Sequence, residues 1–210
     1  MESRFIQISL KELLKEIGLE ETKKILSDFS CVKSGNQTSL NCDVESFLVD
    51  RASIYEEADQ SRTILFFTYS TSGDPIIAGY YSITQRQFQF NEDVDAETRI
   101  SLSGHETLKK GPLNAMLIGQ IGKNYSINIP EESRMQGKEL LHYALLHLKK
   151  AYEHSPFRLI YLECKDNDKL KQFYGSQNLT LHANKSGNAI KNQRGLIKYY
   201  VNVSILESIN

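Results

Sequence analysis

The 210-residue sequence predicts an α/β domain in which a mixed sheet is flanked by helices. Apolar residues recur at helical spacing before residue 60 and again over 136–152, whereas β-branched and aromatic runs between them predict strands. After residue 113, strand-like and helix-like segments alternate. This alternation is typical of α/β folds.

The N-terminal segment predicts two consecutive helices. Ser9 and Glu12 have the spacing of a capping box, in which each side chain hydrogen-bonds the other residue's backbone amide. Apolar residues follow at helical spacing as far as Gly18, where we expect this helix to end. A second short helix is expected over residues 19–29.

A third helix is predicted after a loop at residues 30–39, which is rich in serine, glycine and asparagine. We expect Asp43 to cap this helix, because an aspartate side chain accepts hydrogen bonds from the first helical amides. The helix should end near Asp59.

The remaining chain predicts a hairpin followed by alternating elements. A turn at residues 71–75 joins the two hairpin strands, and residues 85–112 are expected to connect onward through one short helix. Asn167 or Asp168 should cap a short helix that ends at Tyr174. The predicted strands are 63–69, 75–84, 113–125, 158–164, 178–182 and 196–203, and the long helix is 136–152.

Charge is unevenly distributed along the sequence. The net charge is −1, but residues 1–100 hold 10 Lys/Arg against 17 Asp/Glu and residues 101–210 hold 15 against 9. The basic half is consistent with an anionic ligand and equally with two oppositely charged solvated faces, and composition does not separate these alternatives.

Composition also indicates the compartment and excludes several classes of site. Three cysteines without CxxC spacing suit a reducing cytoplasm, and no signal sequence or membrane-spanning run is visible. The five histidines lack ligand spacing, so we predict no metal site. Cys164 lies in a predicted strand with no nucleophile partner pattern, so we expect it to pack as a small apolar residue.

The start of the long helix is a candidate anion site. Gly137 lies just before the apolar stripe, and Arg134 and Lys138 place positive charge beside it. Helix N-termini offer amides without intrahelical acceptors, and a glycine lets an anion approach them. A glycine in this position is also common where a helix merely begins.

Two motifs around this helix resemble the GNAT superfamily of N-acetyltransferases. Arg134-x-x-Gly137 matches the family's Gln/Arg-x-x-Gly-x-Gly/Ala signature, with Glu139 in the place of the second small residue. Residues 161–174 resemble the second signature, a strand, an Asn-bearing turn and a helix that ends in Phe-Tyr. Asn178-Leu179 replaces the usual Gly-Phe pair. The resemblance covers roughly residues 40–205 and extends to a branch with toxin-type and stand-alone acetyltransferases.

This resemblance implies a GNAT-type, mostly antiparallel sheet over residues 41–210, preceded by a helical extension over 1–40. It also implies acetyl-CoA as co-substrate, with a β-strand gripping the pantetheine arm and the helix start binding the diphosphate. The residues implied for this binding are Ile121, Gly122, Lys123, Arg134, Gln136, Gly137, Lys138, Glu139, Leu140 and Asn167. For Glu139, stabilisation of the helix N-terminus and pairing with neighbours is the favoured role, since a carboxylate repels phosphate.

Two residues are candidates for proton transfer. By resemblance Tyr174 is the general acid that protonates the departing thiolate, although it could also serve only to pack its helix onto the sheet. Glu163 is a candidate base for the attacking amine and is equally well explained as a solvated strand residue.

We therefore predict direct transfer of an acetyl group from acetyl-CoA to a primary amine of a small molecule or peptide. Aminoacyl-tRNA, the acceptor of toxin-type relatives, ranks behind because the pI is about 6.5 and the N-terminal half is acidic. A catalytically inactive CoA-binding module stays open because of Glu139 and Asn178-Leu179. Assembly as a homodimer and a cognate antitoxin also stay open, and no membrane association is expected.

Overall fold

The computed structural model describes residues 4–31 and 39–209, with side chains described for 4–31 and 43–209. The strands are β1 (Ile6–Ser9), β2 (Arg62–Tyr69), β3 (Pro75–Phe88), β4 (Leu113–Lys123), β5 (Leu159–Lys165), β6 (Thr180–Leu181) and β7 (Leu196–Asn202). The α-helices are α1 (Leu10–Ser27), α2 (Ser39–Ser46), α3 (Ala52–Glu57), α4 (Ala96–Ser103), α5 (Gly137–Tyr152) and α6 (Asp168–Ser176).

The strands form one seven-stranded sheet in the order β1-β2-β3-β4-β5-β7-β6. The pairs β1–β2, β2–β3, β5–β7 and β6–β7 are antiparallel, whereas β4 and β5 run parallel. This mixed, mostly antiparallel sheet flanked by helices confirms the predicted GNAT-type fold class.

The chain divides into two compact units, each with its own apolar core. The first unit comprises Met1–Thr84 and Gly119–Tyr143, and the second comprises Gln85–Ile118 and Ala144–Asn210. The first core consists of Leu10, Leu26, Phe29, Cys31, Phe47, Leu48, Ala52, Leu65, Phe67, Ile77 and Tyr80. The second consists of Phe88, Leu102, Leu113, Ala115, Leu159, Tyr161 and Tyr200.

The N-terminal helices follow the predicted pattern closely. Ser9 caps α1 through the expected capping box with Glu12. Gly18 has φ 79°, so the helical path is interrupted there, as predicted, before it continues to Ser27. The predicted loop at residues 30–39 falls largely on residues 32–38, which lie outside the described part of the chain.

The prediction that Asp43 caps the third helix is wrong. The helix begins four residues earlier, at Ser39, and Asp43 instead pairs with Arg51 at 3.1 Å. Between α2 and α3, residues Phe47–Arg51 form a π-helical turn, which inserts an extra residue into the helical path.

Two further elements differ from the sequence prediction. The sequence predicted no strand before residue 10, whereas Ile6–Ser9 pairs with β2. Strand β3 runs to Phe88, four residues beyond the predicted end, because the buried Phe88 belongs to the second core. The segment predicted as a connection contains one α-helix, α4, which is capped by Asp95.

Candidate functional site

The start of α5 presents backbone amides without intrahelical acceptors. The first intrahelical bond runs from Leu140 N to Gln136 O at 3.1 Å, so the amides of Gly137, Lys138 and Glu139 precede it. These groups carry the partial positive charge of the helix N-terminus. The structure thereby forms, at Gly137, the kind of helix end that binds anions elsewhere.

Glu139 turns back over this helix end. Its Oε2 accepts a hydrogen bond from the Gln136 amide at 2.7 Å, and its two oxygens accept from Arg4 Nη2 at 3.0 and 2.9 Å. The carboxylate therefore stabilises the helix N-terminus and forms an ion pair. The Gln136 amide thus donates to Glu139, and the Leu140 amide donates within the helix to Gln136 O. The amides of residues 137–139 lie between these two.

The segment before α5 is fixed by packing in the first unit. Met135 is 1% exposed, and its sulfur would lie 2.9 Å from a Cβ placed on Gly79. Only a glycine at position 79 lets Met135 approach β3 so closely. The Nε of the neighbouring Arg134 is buried and has no hydrogen-bond partner within the described residues, which leaves donor capacity in this segment.

The C-terminal part of β4 lies close to Val44 of helix α2 and to Cys31. A Cβ on Gly122 would lie 2.5 Å from Val44 Cγ1 and 3.1 Å from Cys31 Sγ, so this position requires glycine. Lys123 lies with its ammonium 4.8 Å from the ring centroid of Tyr125. The intermediate burial of Ile121, Gly122 and Lys123 leaves part of this strand segment accessible.

The end of β4 is attached to β3 by Asn124, a residue that the sequence analysis did not single out. Asn124 is 2% exposed, its backbone amide donates to Ala78 O at 2.8 Å, and its side-chain Nδ2 donates to Ile77 O at 2.8 Å. In the second unit, the parallel pairing of β4 with β5 has its last pair at Ile118 and Leu162.

Tyr174 lies buried in the second unit, on α6. It is 6% exposed, and its ring packs against that of Tyr199 with centroids 5.4 Å apart. Burial, with a smaller contribution from Cys164, raises the pKa of the phenol well above its ordinary value. The hydroxyl is protonated at neutral pH, and the raised pKa makes it a weaker acid than an exposed tyrosine.

Asn167 has a clear structural role at the start of α6. Its Oδ1 accepts from the amides of Lys169 and Leu170, which confirms the predicted N-cap. An oxygen that caps a helix is already engaged. Its amide nitrogen is the part of the side chain that could reach a ligand.

Glu163 is held by two polar neighbours. Asn192 Nδ2 donates to its carboxylate at 3.0 Å, and Lys198 Nζ lies 3.7 Å away. The side chain is 28% exposed, so it reaches solvent. A base in this position would act while paired with a lysine.

The second unit also contains a buried histidine that the sequence pattern did not identify as special. His182 is 3% exposed and its ring packs edge-on against Phe88 and Tyr200. Burial, followed by the charge of Lys198, lowers the pKa of His182 to about 4. Burial likewise raises the pKa of the Cys164 thiol to about 11, so the thiol stays protonated at neutral pH.

No group of three or more metal-ligating side chains occurs within the described residues. In the same part of the chain, none of the helices combines the length and apolar character that a bilayer crossing requires.

Comparison with known proteins places this geometry in a structural context. No protein-family model matches the sequence, and no curated protein matches it. Among solved structures, a tyrosine-to-phenylalanine variant of KacT matches with a TM-score of 0.65 at 12% identity, covering 99% of this chain and all of that one. A similar variant of the AtaT toxin, bound to the antitoxin AtaR and acetyl-CoA, matches at 0.61 and 12% identity, covering 98% of each chain.

A third match is AtaT complexed with acetyl-methionyl-tRNAfMet, with a TM-score of 0.57, 13% identity and coverage of 87% of this chain and 90% of that one. At these identities, the likeness establishes the fold.

Proposed function

We propose that the protein is an acetyl-CoA-dependent N-acetyltransferase whose acceptor is the amino group of aminoacyl-tRNA. The observation that carries the proposal is the helix start at Gly137, where three successive amides precede the first intrahelical bond. This helix start belongs to a chain whose fold matches that of a toxin bound to acetyl-CoA over nearly the whole length of both chains.

The residues at this helix start fit a diphosphate. The amides of Gly137, Lys138 and Glu139 would donate to the phosphate oxygens, and Lys138 and Arg134 would add positive charge. The part of β4 at Ile121, Gly122 and Lys123, which lies beyond the last pair of β4 with β5, would pair with the amide groups of the pantetheine arm. Acetyl-CoA supplies the acetyl group in activated form, as a thioester.

Tyr174 is proposed as the proton donor to the departing thiolate. Its phenol is protonated at neutral pH, which a proton donor requires, and proton donation of this kind contributes about 10² to 10⁴ in rate. Glu163 is proposed to receive the proton of the attacking amine, directly or through water. A backbone amide of β4 would stabilise negative charge on the thioester oxygen.

Two observations favour aminoacyl-tRNA over a small amine or peptide, which the sequence analysis ranked first. One structural match is a complex with acetyl-methionyl-tRNAfMet. In addition, the second unit carries 14 Lys/Arg against 10 Asp/Glu, whereas the first carries 11 against 16. Positive charge concentrated in one unit suits a polyanionic acceptor.

The test is transfer of radiolabelled acetyl from acetyl-CoA to a mixture of aminoacyl-tRNAs, with uncharged tRNA, polyamines and short peptides as parallel acceptors. Label on aminoacyl-tRNA, and none on uncharged tRNA, supports the proposal. Label on polyamines or peptides alone would refute the acceptor but retain the acetyltransferase. No label on any acceptor would refute both.

A CoA-binding module without catalysis is the second candidate, favoured by the burial of Tyr174, which raises the pKa of its phenol and makes it a weaker proton donor. Such a protein would be stabilised against heat by acetyl-CoA and would transfer no acetyl group. The enzyme requires both stabilisation and transfer.

A further inference from the structure

Glu139 raises a specific physical difficulty for the proposed diphosphate site. Its carboxylate lies at the helix start and accepts from the Gln136 amide at 2.7 Å. Left alone, this negative charge would repel a diphosphate from the amides of residues 137–139. The GNAT signature has a small, uncharged residue at this position, so the motif contains no positive charge that would offset Glu139.

A compensating positive charge comes from Arg4, which belongs to the N-terminal segment of the first unit. Arg4 lies 135 residues before Glu139 in sequence. Its positively charged guanidinium donates hydrogen bonds from Nη2 to both carboxylate oxygens of Glu139, at 3.0 and 2.9 Å. Guanidinium groups pair equally well with carboxylate and phosphate oxygens.

Arg4 is also anchored independently of Glu139. Its Nη1 donates to Glu132 O at 3.0 Å and its Nη2 donates to Arg134 O at 3.2 Å. These two carbonyls belong to the segment that leads into α5, so the guanidinium has a fixed place beside the helix start. Its side chain is 46% exposed, which leaves the charge open to a ligand from solvent.

We infer that Arg4 is a residue of the diphosphate site, contributed from outside the acetyltransferase motifs, which neutralises Glu139 and so permits an anion to bind at this helix start. This inference rests on the proposed function. The segment before β1 is then part of the donor-binding machinery, and Arg4 and Glu139 act as a coupled pair.

A double-mutant cycle tests the pair through the affinity for CoA measured by isothermal titration. Arg4→Gln leaves Glu139 uncompensated, and we expect affinity for CoA to fall about tenfold, the effect of one partly exposed charge close to a phosphate. Glu139→Gln should leave affinity equal or raise it several-fold. The double variant Arg4→Gln/Glu139→Gln should recover to within about threefold of the wild type.

The effect must depend on the phosphates of the ligand. With acetyl-pantetheine as donor, which has no diphosphate, Arg4→Gln should leave kcat/KM within about twofold of the wild type. Lys24→Gln is the matched control, because it removes one positive charge from an ion pair with Glu21 elsewhere in the same unit. It should leave CoA affinity unchanged.

The inference is overturned if Arg4→Gln binds CoA as tightly as the wild type, or if Glu139→Gln fails to rescue the loss. An equal loss with acetyl-pantetheine would also overturn it, because that loss would reflect structural damage. Failure of the proposed function is a separate result, since the wild type itself would then show no affinity for CoA.

Discussion

Tyr174 is the residue on which the proposed chemistry most depends. Its ring is fixed by burial against Tyr199, and its phenol is protonated at neutral pH, although the raised pKa makes it a weaker acid than an exposed tyrosine. The same burial would equally suit a packing role. Removal of the hydroxyl alone separates the two, because phenylalanine retains the ring.

We expect Tyr174→Phe to lower kcat about 100-fold or more, with the KM for acetyl-CoA changed less than threefold, because only proton donation is lost. Steady-state kinetics with saturating acceptor measures this. Tyr152→Phe is the matched control, since Tyr152 is 42% exposed at the end of α5 and should be silent. Full activity in Tyr174→Phe would remove this residue from the mechanism.

At the residue scale, local signals were predictable and distant partners were not. The capping box of Ser9 and Glu12 and the N-cap at Asn167 depend on residues within three positions, so their pattern is visible in sequence. The contact of Arg4 with Glu139 spans 135 positions. Chain folding alone brings these two together, and no spacing rule could have found them.

At the scale of elements, two glycines determine how the proposed site is shaped. Gly79 on β3 admits Met135, which sets the course of the chain into α5, and Gly122 on β4 admits the side chains of Val44 and Cys31. A Cβ at either place would overlap these side chains, which would have to shift. The sequence predicted the strands themselves but gave no sign of these close approaches.

Gly79→Ala should destabilise the protein by roughly 1–3 kcal/mol, the usual cost of overpacking a core, and raise the KM for acetyl-CoA. The new Cβ would lie 2.9 Å from the Met135 sulfur and 3.1 Å from Gly122 O. Urea denaturation measures the free energy of unfolding. As control, Gly175→Ala in α6, with nothing within 4 Å of its Cβ, should be stabilised by up to about 1 kcal/mol. Equal stability of Gly79→Ala and the wild type would contradict this account.

The buried His182 makes the edge formed by β6 and β7 sensitive to acid. Its pKa is about 4 in the folded protein and near 6.5 when unfolded, so the unfolded chain binds the proton more readily as the pH falls through 6.5. The contribution of neutral His182 to the free energy of unfolding is therefore fully present above pH 6.5 and is lost as the pH falls below it. Between pH 7.5 and 5, the free energy of unfolding of the wild type should fall by roughly 2 kcal/mol more than that of His182→Gln.

Urea denaturation at the two pH values checks this prediction. Identical pH dependence in His182→Gln and the wild type would show that this histidine is not buried as a neutral group.

The helix from α2 to α3 shows why element boundaries were harder to predict than element types. Asp43 has the properties of a cap, but the helix begins at Ser39 and continues past it through the π-helical turn at Phe47–Arg51. Propensity rules assume one regular helix, so an inserted residue escapes them. Strand β1 was not predicted for another reason, because a strand of four residues is too short to show a clear alternation of apolar and polar residues.

At the scale of the whole molecule, the two halves of the sequence differ in charge, and so do the two compact units. Sequence alone left the meaning of this difference open. If the basic unit serves a tRNA acceptor, acceptor binding must release counterions, whereas a small amine would release few. Salt concentration therefore separates the two kinds of acceptor.

We expect the KM for aminoacyl-tRNA to rise about tenfold or more between 50 and 200 mM KCl, following the salt dependence of phosphate contacts. The KM for acetyl-CoA, with fewer charges, should rise several times less over the same range. Initial rates at each salt concentration provide the comparison. A KM for aminoacyl-tRNA that is insensitive to salt would contradict binding through the basic unit.

The central claim is that the helix start at Gly137 holds the diphosphate of acetyl-CoA, and calorimetric titration of the wild-type protein measures this most directly. We predict one molecule of acetyl-CoA bound per chain, and at least tenfold weaker binding of acetyl-pantetheine, which lacks the diphosphate. No binding of any CoA derivative, or equal affinity for the two ligands, would contradict the account.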